Sequence, residues 1–547
     1  VHDDLPIANL TCSSGGDGAF QPRRPQGRSL SDFRLDGTAT PHGLLPAEER
    51  LLEAAARGEP CALAEAAPSA PSKANRIRPG FLRFLLLGGD GAAPVHEKRV
   101  ELRGAYIDGG IDLDECQGVR AFRLVNCRMD GRLTAVNASM AELRICGGAV
   151  RGLDCSFAKF SGGVYLIDGL TVTGETSFLG ASIDGRLACN KSRFSNPGGV
   201  ALTCAAATIT SDVYLMDGFI AEGGTRFTRA SIGGVLACAG GVFRNPTARS
   251  SSRGSDANFA DYALDLTGVQ INGVLWLGPS PVFNLQVIIE GSLNLQGAQV
   301  RALFDDPGSW PAESVEAPGA GRLPCVISLD DFTYERLIRG APADAATRRR
   351  WLLRQRPSHL GDSFRPHPFE QLAGVLRAMG HEHDAREIAM LKQSFMTPLR
   401  ASRTAGWRRP FVRFIGWFWG VLCGYGYRPH RLVGFLFALW LGCAAVYELA
   451  AKAGAFVPGD AQAWADEKLA AECDANWTQC AKMKKSAPFN ALAYSADVLL
   501  PIIDFKQRSA WTPARGPVRV LVWTENLLGS LGVLLLGAIL GGLVKRD

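Results

Sequence analysis

A 34-residue segment, VYLIDGLTVTGETSFLGASIDGRLACNKSRFSNP from Val164 to Pro197, returns 49 positions later as VYLMDGFIAEGGTRFTRASIGGVLACAGGVFRNP from Val213 to Pro246. Asp168/Asp217, Gly174/Gly223, Ile183/Ile232, Cys189/Cys238 and Asn196/Asn245 keep step. A chain that repeats itself at this distance stacks its units, and the stack supplies the core that one unit cannot bury alone. A shorter rhythm runs beneath the long one: an apolar residue, then two more at the fourth and sixth positions on, as in Ile107/Ile111/Leu113, Phe160/Val164/Leu166 and Ile183/Leu187/Cys189. Its starts at 107, 118, 129, 139, 150, 160, 172 and 183 lie ten to twelve residues apart. That step is too short for a helix pair. Period-two alternation with glycine corners predicts short strands that turn sharply, two steps to a coil, each coil about 4.8 Å above the last. The expected fold is mainly β, a parallel β-solenoid of pentapeptide-like coils, about nine of them from residue 100 to 304.

The flanks read differently. Residues 1–99 form an irregular arm and a helical cap, with helices from Pro46 and Lys73 ended by Gly58 and Gly88, placed to cover the open end of the stack. Residues 305–341 form a Pro/Gly-rich linker and a last strand-like segment, and 342–399 a helical joint whose helix, tight turn and helix are similar to one tetratricopeptide unit. NKSRFSNPGG and NPTARSSSRGSDANFA read as loops bulging from the solenoid, where a protein or small ligand would bind.

Several chemistries find no motif. Net charge is only +6 over 547 residues, with no basic helix interleaved with aromatics, so nucleic acid is not an expected partner. Asp168 and Asp217 suggest either a glycosidase carboxylate pair or, at their repeat-equivalent L-x-D-G positions, turn residues, and the second reading is preferred. His381 and His383 lack the i, i+4 spacing of two metal-binding imidazoles on a helix and read as a solvated turn. The repeat cysteines have no CxxC spacing and alternate with Leu, Val or Phe elsewhere, as small apolar core residues in a reducing cytoplasm would. No catalytic, cofactor-binding or metal-binding residue is assigned. The first thirty residues show no cleavable secretory signal.

The carboxyl-terminal third carries the functional reading. Residues 400–431 hold seven arginines, no acid and the run FVRFIGWFWGVLCGYGY, which suits an amphipathic segment in the headgroup zone with Trp417, Trp419 and Tyr425 at the interface. Residues 432–547 form a two-span membrane domain: Leu432 to Ala450 has one charge in nineteen residues, and Asn526 to Val544 has none. Arginines before the first span and Lys545/Arg546 after the second place both termini and the solenoid on the cytoplasmic side of a bacterial inner membrane. The loop between the spans then faces outside, where Cys473 and Cys480 either close a disulfide or stay as thiols. Residues 488–505, PFNALAYSADVLLPIIDF, are too short to cross and form either a re-entrant helix or one resting on the surface.

Span, short helix, acidic turn, span resembles the pore unit of two-span potassium-type channels, with Tyr494 and Ser495 on the pore helix and LLPIIDF in the filter position. That filter lacks the T-x-G-Y-G glycines, so the resemblance implies cation preference through side chains: Ser495, Asp497, Asp504, Glu525 and Asn526 are the candidate ion pathway, the last two at the outer end of the second helix. Gly537 and Gly541 are the candidate close-packing face. More broadly, IRPGFLRFLLLGGDGAAPVHEKRVELRGAYIDGGIDLDEC, the GASIDGRLAC coils, YGYRPHR and YSADVLLPIIDF resemble a bacterial family of pentapeptide-like solenoid membrane proteins often labelled membrane-associated oxidoreductases, over nearly all the chain from about Pro46. The label implies redox chemistry, but no residue here matches a redox motif. Three functions therefore stay open: a solenoid sensor or scaffold coupled to a homo-oligomeric cation pore in membrane lipid, an interaction platform on an inert anchor, and a membrane-associated oxidoreductase.

Overall fold

The computed structural model describes residues 29–38, 40–245, 262–317, 321–402, 410, 414, 428–460, 473, 476–480, 488–500, 502–514 and 516–541. The first 28 residues, nearly all of the NPTARSSSRGSDANFA loop and most of the arginine-rich segment after Ser402 lie outside that set. The chain forms two compact units, Val1–Pro342 and Ala343–Asp547.

The first unit is one large parallel sheet wound into a solenoid. Each coil has four sides, and on each side an inward residue stands directly over its counterpart in the next coil; these are apolar except for buried Thr176 and Thr225 on the third side. Along one side the pairs run Val100, Phe122, Leu143, Val164, Leu187, Val213, Leu236, Leu275 and Leu303. All nine are buried. A second side stacks Ile77, Ile107, Met129, Val150, Val172, Phe194, Ala221, Phe243 and Ile289. A third runs from Ile111 through Leu133 and Leu153 to Leu293 and Ile327, and a fourth from Met140 through Phe160, Ile183, Ile209 and Ile232 to Tyr334. The ten-to-twelve-residue step of the sequence is thus two sides of a four-sided coil. The repeated aspartates occupy corners: Asp168 (φ 58°) and Asp217 (φ 57°) take the left-handed conformation that short polar side chains tolerate, each followed by a glycine that also takes it. Backbone geometry, not paired-carboxylate chemistry, accounts for their repetition.

The solenoid reaches further than 100–304 at both ends. Cys61–Ala62 and Arg76–Ile77 pair with the first coil inside what the sequence marks as cap, and Ile327–Ser328 and Thr333–Leu337 add rungs inside what it marks as linker. These strands are two to five residues long, too short to show a period. The cap helices are Pro46–Arg57, ended by left-handed Gly58, and Pro79–Leu86. Buried Glu48 joins them by accepting from the backbone N–H of Arg78 (2.9 Å) and from its guanidinium Nε and Nη2 (2.9 and 2.6 Å).

A second buried acid sits in the first coil. Glu101 accepts from Arg99 Nε at 2.9 Å and from Arg103 Nε and Nη2 at 2.9 and 2.6 Å. Burial alone would raise its pKa, but the hydrogen bonds from Arg103 and Arg99 outweigh burial and hold the carboxyl below the usual glutamate range. A depressed folded pKa gives stability that is complete above the unfolded value of about 4.3 and is lost as pH falls through the folded value. Glu101→Gln should therefore cost about 1–2 kcal/mol at neutral pH, the arginines being half-exposed, and flatten the acid limb of a urea-unfolding series run against pH.

The second unit is helical. His367–Ala378 and Glu382–Ser402 form the expected hairpin, turned by left-handed Gly380 and pinned by Lys392 Nζ on Glu370 at 3.0 Å. Two further helices, Pro429–Lys452 and Gly516–Leu540, are long and apolar enough to cross a membrane.

Candidate functional site

The two apolar helices lie against each other and against a third, short helix, Ala491–Leu499. A small antiparallel pair, Phe456–Pro458 with Trp511–Pro513, ties the end of the first apolar helix to the start of the second. Tyr447, Phe456, Phe489, Tyr494 and Trp511 pack edge-on and tilted at this end, ring centroids 4.8 to 6.0 Å apart. Such edge-to-face packing fixes ring positions as well as burying area.

The candidate disulfide is formed: Cys473 and Cys480 are bonded. The loop they close caps the first apolar helix, because Asn476 Nδ2 donates to the carbonyls of Ala451 (2.9 Å) and Lys452 (3.0 Å), and Thr478 Oγ1 donates to Ala451 (2.9 Å). Helix ends leave four carbonyls without intrahelical donors, and these side chains supply some of the missing partners.

The short helix leaves and re-enters the same end of the unit. Asn490 caps its start by accepting from Leu492 N (3.0 Å) and Ala493 N (3.1 Å). The segment after the helix closes on that cap: Asn490 N donates to Gln507 Oε1 (3.0 Å), and Gln507 Nε2 donates to Pro488 O (3.1 Å). Asp497 locks the return, its two oxygens accepting from the backbone N–H groups of Phe505, Gln507 and Arg508. The segment 488–508 thus starts and ends close together, its helix held to the turn that follows it.

The five residues of the candidate ion pathway do not come together. Only Ser495 and Glu525 meet, both fully buried. Glu525 lies nine residues in from Gly516 rather than at the end of its helix, with Asn526 half-buried beside it. Asp497 is engaged by three backbone amides, those of Phe505, Gln507 and Arg508. Asp504 is exposed on the return and accepts from Lys506 N at 2.8 Å. Both aspartates follow capping geometry, which a side-chain inventory does not reveal.

Glu525 is the centre of what does assemble. Its Oε2 accepts from the Tyr447 hydroxyl at 2.6 Å, and its Oε1 is hydrogen-bonded to Ser495 Oγ. The Cys443 thiol, one helical turn before Tyr447, also bonds the carboxyl. Ser495 Oγ reaches the Trp440 carbonyl at 3.0 Å, and Trp440 Nε1 donates to Leu492 O at 3.0 Å. One acid thus links all three helices. Tyr447 and Cys443 are legible as an i, i+4 pair in a run whose one charge is Glu448, and Glu525 as the one acid of its helix. Their meeting is not.

Within the chain, Gly537 and Gly541 make no close contact with another helix. A Cβ on Gly537 meets nothing within 4 Å, and on Gly541 only its own helix. The intimate contacts are at Gly529, where a Cβ would fall 2.2 Å from the Leu499 carbonyl, and at Gly532, 2.7 Å from Leu436 Cδ2. At Gly529 the second apolar helix meets the carbonyl end of the short helix, and at Gly532 it meets the first apolar helix.

Among the described residues no group of three or more His, Cys, Asp and Glu side chains is placed to hold a metal ion. Comparison with models of known protein families, with characterised proteins and with solved structures finds no match to the chain.

Proposed function

We propose that this chain is a membrane-anchored scaffold or sensor of the bacterial inner membrane, its two apolar helices spanning the bilayer and its β-solenoid held in the cytoplasm as a surface for partners. One observation carries this reading. Each apolar helix leaves a continuous stripe of large apolar side chains uncovered: Val433, Phe437 and Leu441 on the first, and Val520, Trp523, Leu527, Leu531 and Leu534 on the second, with Trp523 68% and Leu534 70% exposed. The i, i+3/i+4 spacing makes each a helix face, and a water-soluble protein rarely leaves two such faces bare. Lipid covers them at no cost. The Cys473–Cys480 disulfide supports an oxidising side for the connecting loop, and buried free thiols in the solenoid support a reducing side for the rest.

A second reading, a conduit built from several copies, draws on the short helix packed against both apolar helices and on the irregular segment after it, where Ile502 (83% exposed), Ile503 and Phe505 lie bare. The oxidoreductase role implied by family resemblance draws no support from the solenoid thiols. Burial pushes Cys127 up to about 11 and Cys238 to about 12, and Cys155 and Cys189 higher still, so at neutral pH they are not thiolates. One experiment separates anchor from conduit: membranes carrying the full chain are washed with alkaline carbonate, then dissolved in mild detergent and sized. Retention in the pellet is expected; release into the wash overturns the spanning reading. A single copy per micelle leaves the anchored scaffold, and a ring of several copies moves the assignment to the conduit.

A further inference from the structure

Around Glu525 there are more hydrogen-bonded contacts than a carboxylate and its neighbours can supply with protons. Tyr447 has one hydroxyl proton, and it goes to Glu525 Oε2; the Cys443 thiol spends its own single proton on the same carboxyl. Ser495 has one as well, yet its oxygen is within hydrogen-bond reach of two groups, the Trp440 carbonyl and Glu525 Oε1. A carbonyl oxygen and an ionised carboxylate only accept. One hydroxyl proton shared between two acceptors gives at best a weak three-centre contact, so both are full two-centre hydrogen bonds only when the carboxyl supplies a proton of its own.

The surrounding charges point the same way. The groups facing Glu525 are Cys443 and Tyr447 from the first apolar helix and Tyr494 and Ser495 from the short helix, none of them a cation. Asp497, further along the short helix, spends both oxygens on backbone amides. Arg508, whose field reaches Tyr494, makes no ion pair with Glu525 among the described residues. An unpaired carboxylate among aromatic rings and apolar helices is costly, whereas the neutral acid is not.

We infer that Glu525 is a proton-binding site, held as the neutral carboxylic acid that donates to Ser495 Oγ while Ser495 donates to the Trp440 carbonyl and Tyr447 donates to Oε2. The ligand of the site is a proton. Its release leaves an anion and one hydrogen bond fewer between the short helix and the first apolar helix, so the proton's occupancy is linked to how firmly the short helix is seated. That consequence rests on the membrane reading above; the count of protons does not.

Infrared difference spectra of the full chain in phospholipid vesicles, in H2O and D2O at neutral pH, test this. Wild type is expected to show a protonated-carboxyl C=O stretch that is lost in Glu525→Gln and shifted in Tyr447→Phe and in Ser495→Ala. Glu525→Gln, which keeps one donor and one acceptor at that place, is expected to hold the thermal midpoint, whereas Glu525→Lys lowers it. A wild-type spectrum without that stretch, or one left unchanged by Glu525→Gln and by Tyr447→Phe, overturns the inference. If the glutamine variant fails to fold, the Tyr447→Phe shift decides alone. Carbonate release of the protein with the stretch still present would remove the membrane reading and leave the proton on Glu525.

Discussion

Phe219→Ala should destabilise the solenoid by about 3–5 kcal/mol, the range for truncating a buried phenylalanine. Phe219 has no exposed surface and stands between Phe194 and Phe243, ring centroids 5.4 and 5.8 Å away. The cavity left by the ring cannot close by local collapse, because the coils on either side are held in register by parallel hydrogen-bonded pairs whose spacing is fixed. Urea unfolding of the full chain, followed by its far-ultraviolet β signal, measures the loss. Phe157→Ala is the matched control. That ring is 53% exposed, so the same truncation there should stay within about 0.5 kcal/mol.

Gly529→Val should unseat the short helix. Its Cβ would lie 2.2 Å from the Leu499 carbonyl oxygen, backbone that has no rotamer to escape into, and overpacking of this kind costs about 3 kcal/mol or more. Gly537→Val, on the same helix with open space around it, should be tolerated within the chain. Maleimide labelling of Cys443 in detergent, located by mass spectrometry, reports the difference. The thiol is 5% exposed beside Glu525 in wild type and should label many-fold faster in Gly529→Val only. Equal labelling of both variants would mean that the short helix does not depend on this contact.

The two halves of the chain were unequally legible, and the reason is physical. In the solenoid each residue's neighbour is the equivalent residue one coil away, so Ile183, Ile209 and Ile232 announce their partners by recurring. A repeat makes long-range contacts periodic, and periodicity survives in one dimension. In the helical unit the contacts that matter happen once: Tyr447 meets Glu525 across 78 residues with nothing in either segment that names the other. Both runs are dominated by apolar residues with weak moments, so the sequence shows membrane compatibility without showing which faces meet. The resemblance to a two-span pore unit named Ser495 and Glu525, and so brought two residues of one site to notice. It also selected Asp497 and Asp504, whose partners are backbone amides exposed by a turn that only the folded chain defines.

The register of the coils has a consequence for how such a chain changes length. From Leu236 to Leu275 the ladder spans 39 residues, against 21 from Phe122 to Leu143, yet both pairs are direct neighbours in the stack. Extra residues are absorbed between sides, and the next coil lands where it would have landed without them. Because each coil offers the one above it the same four footholds it received from below, a coil can be gained or lost by duplication or deletion while both flanks still match, making the number of storeys a quantity that evolution can set independently of what stands at either end.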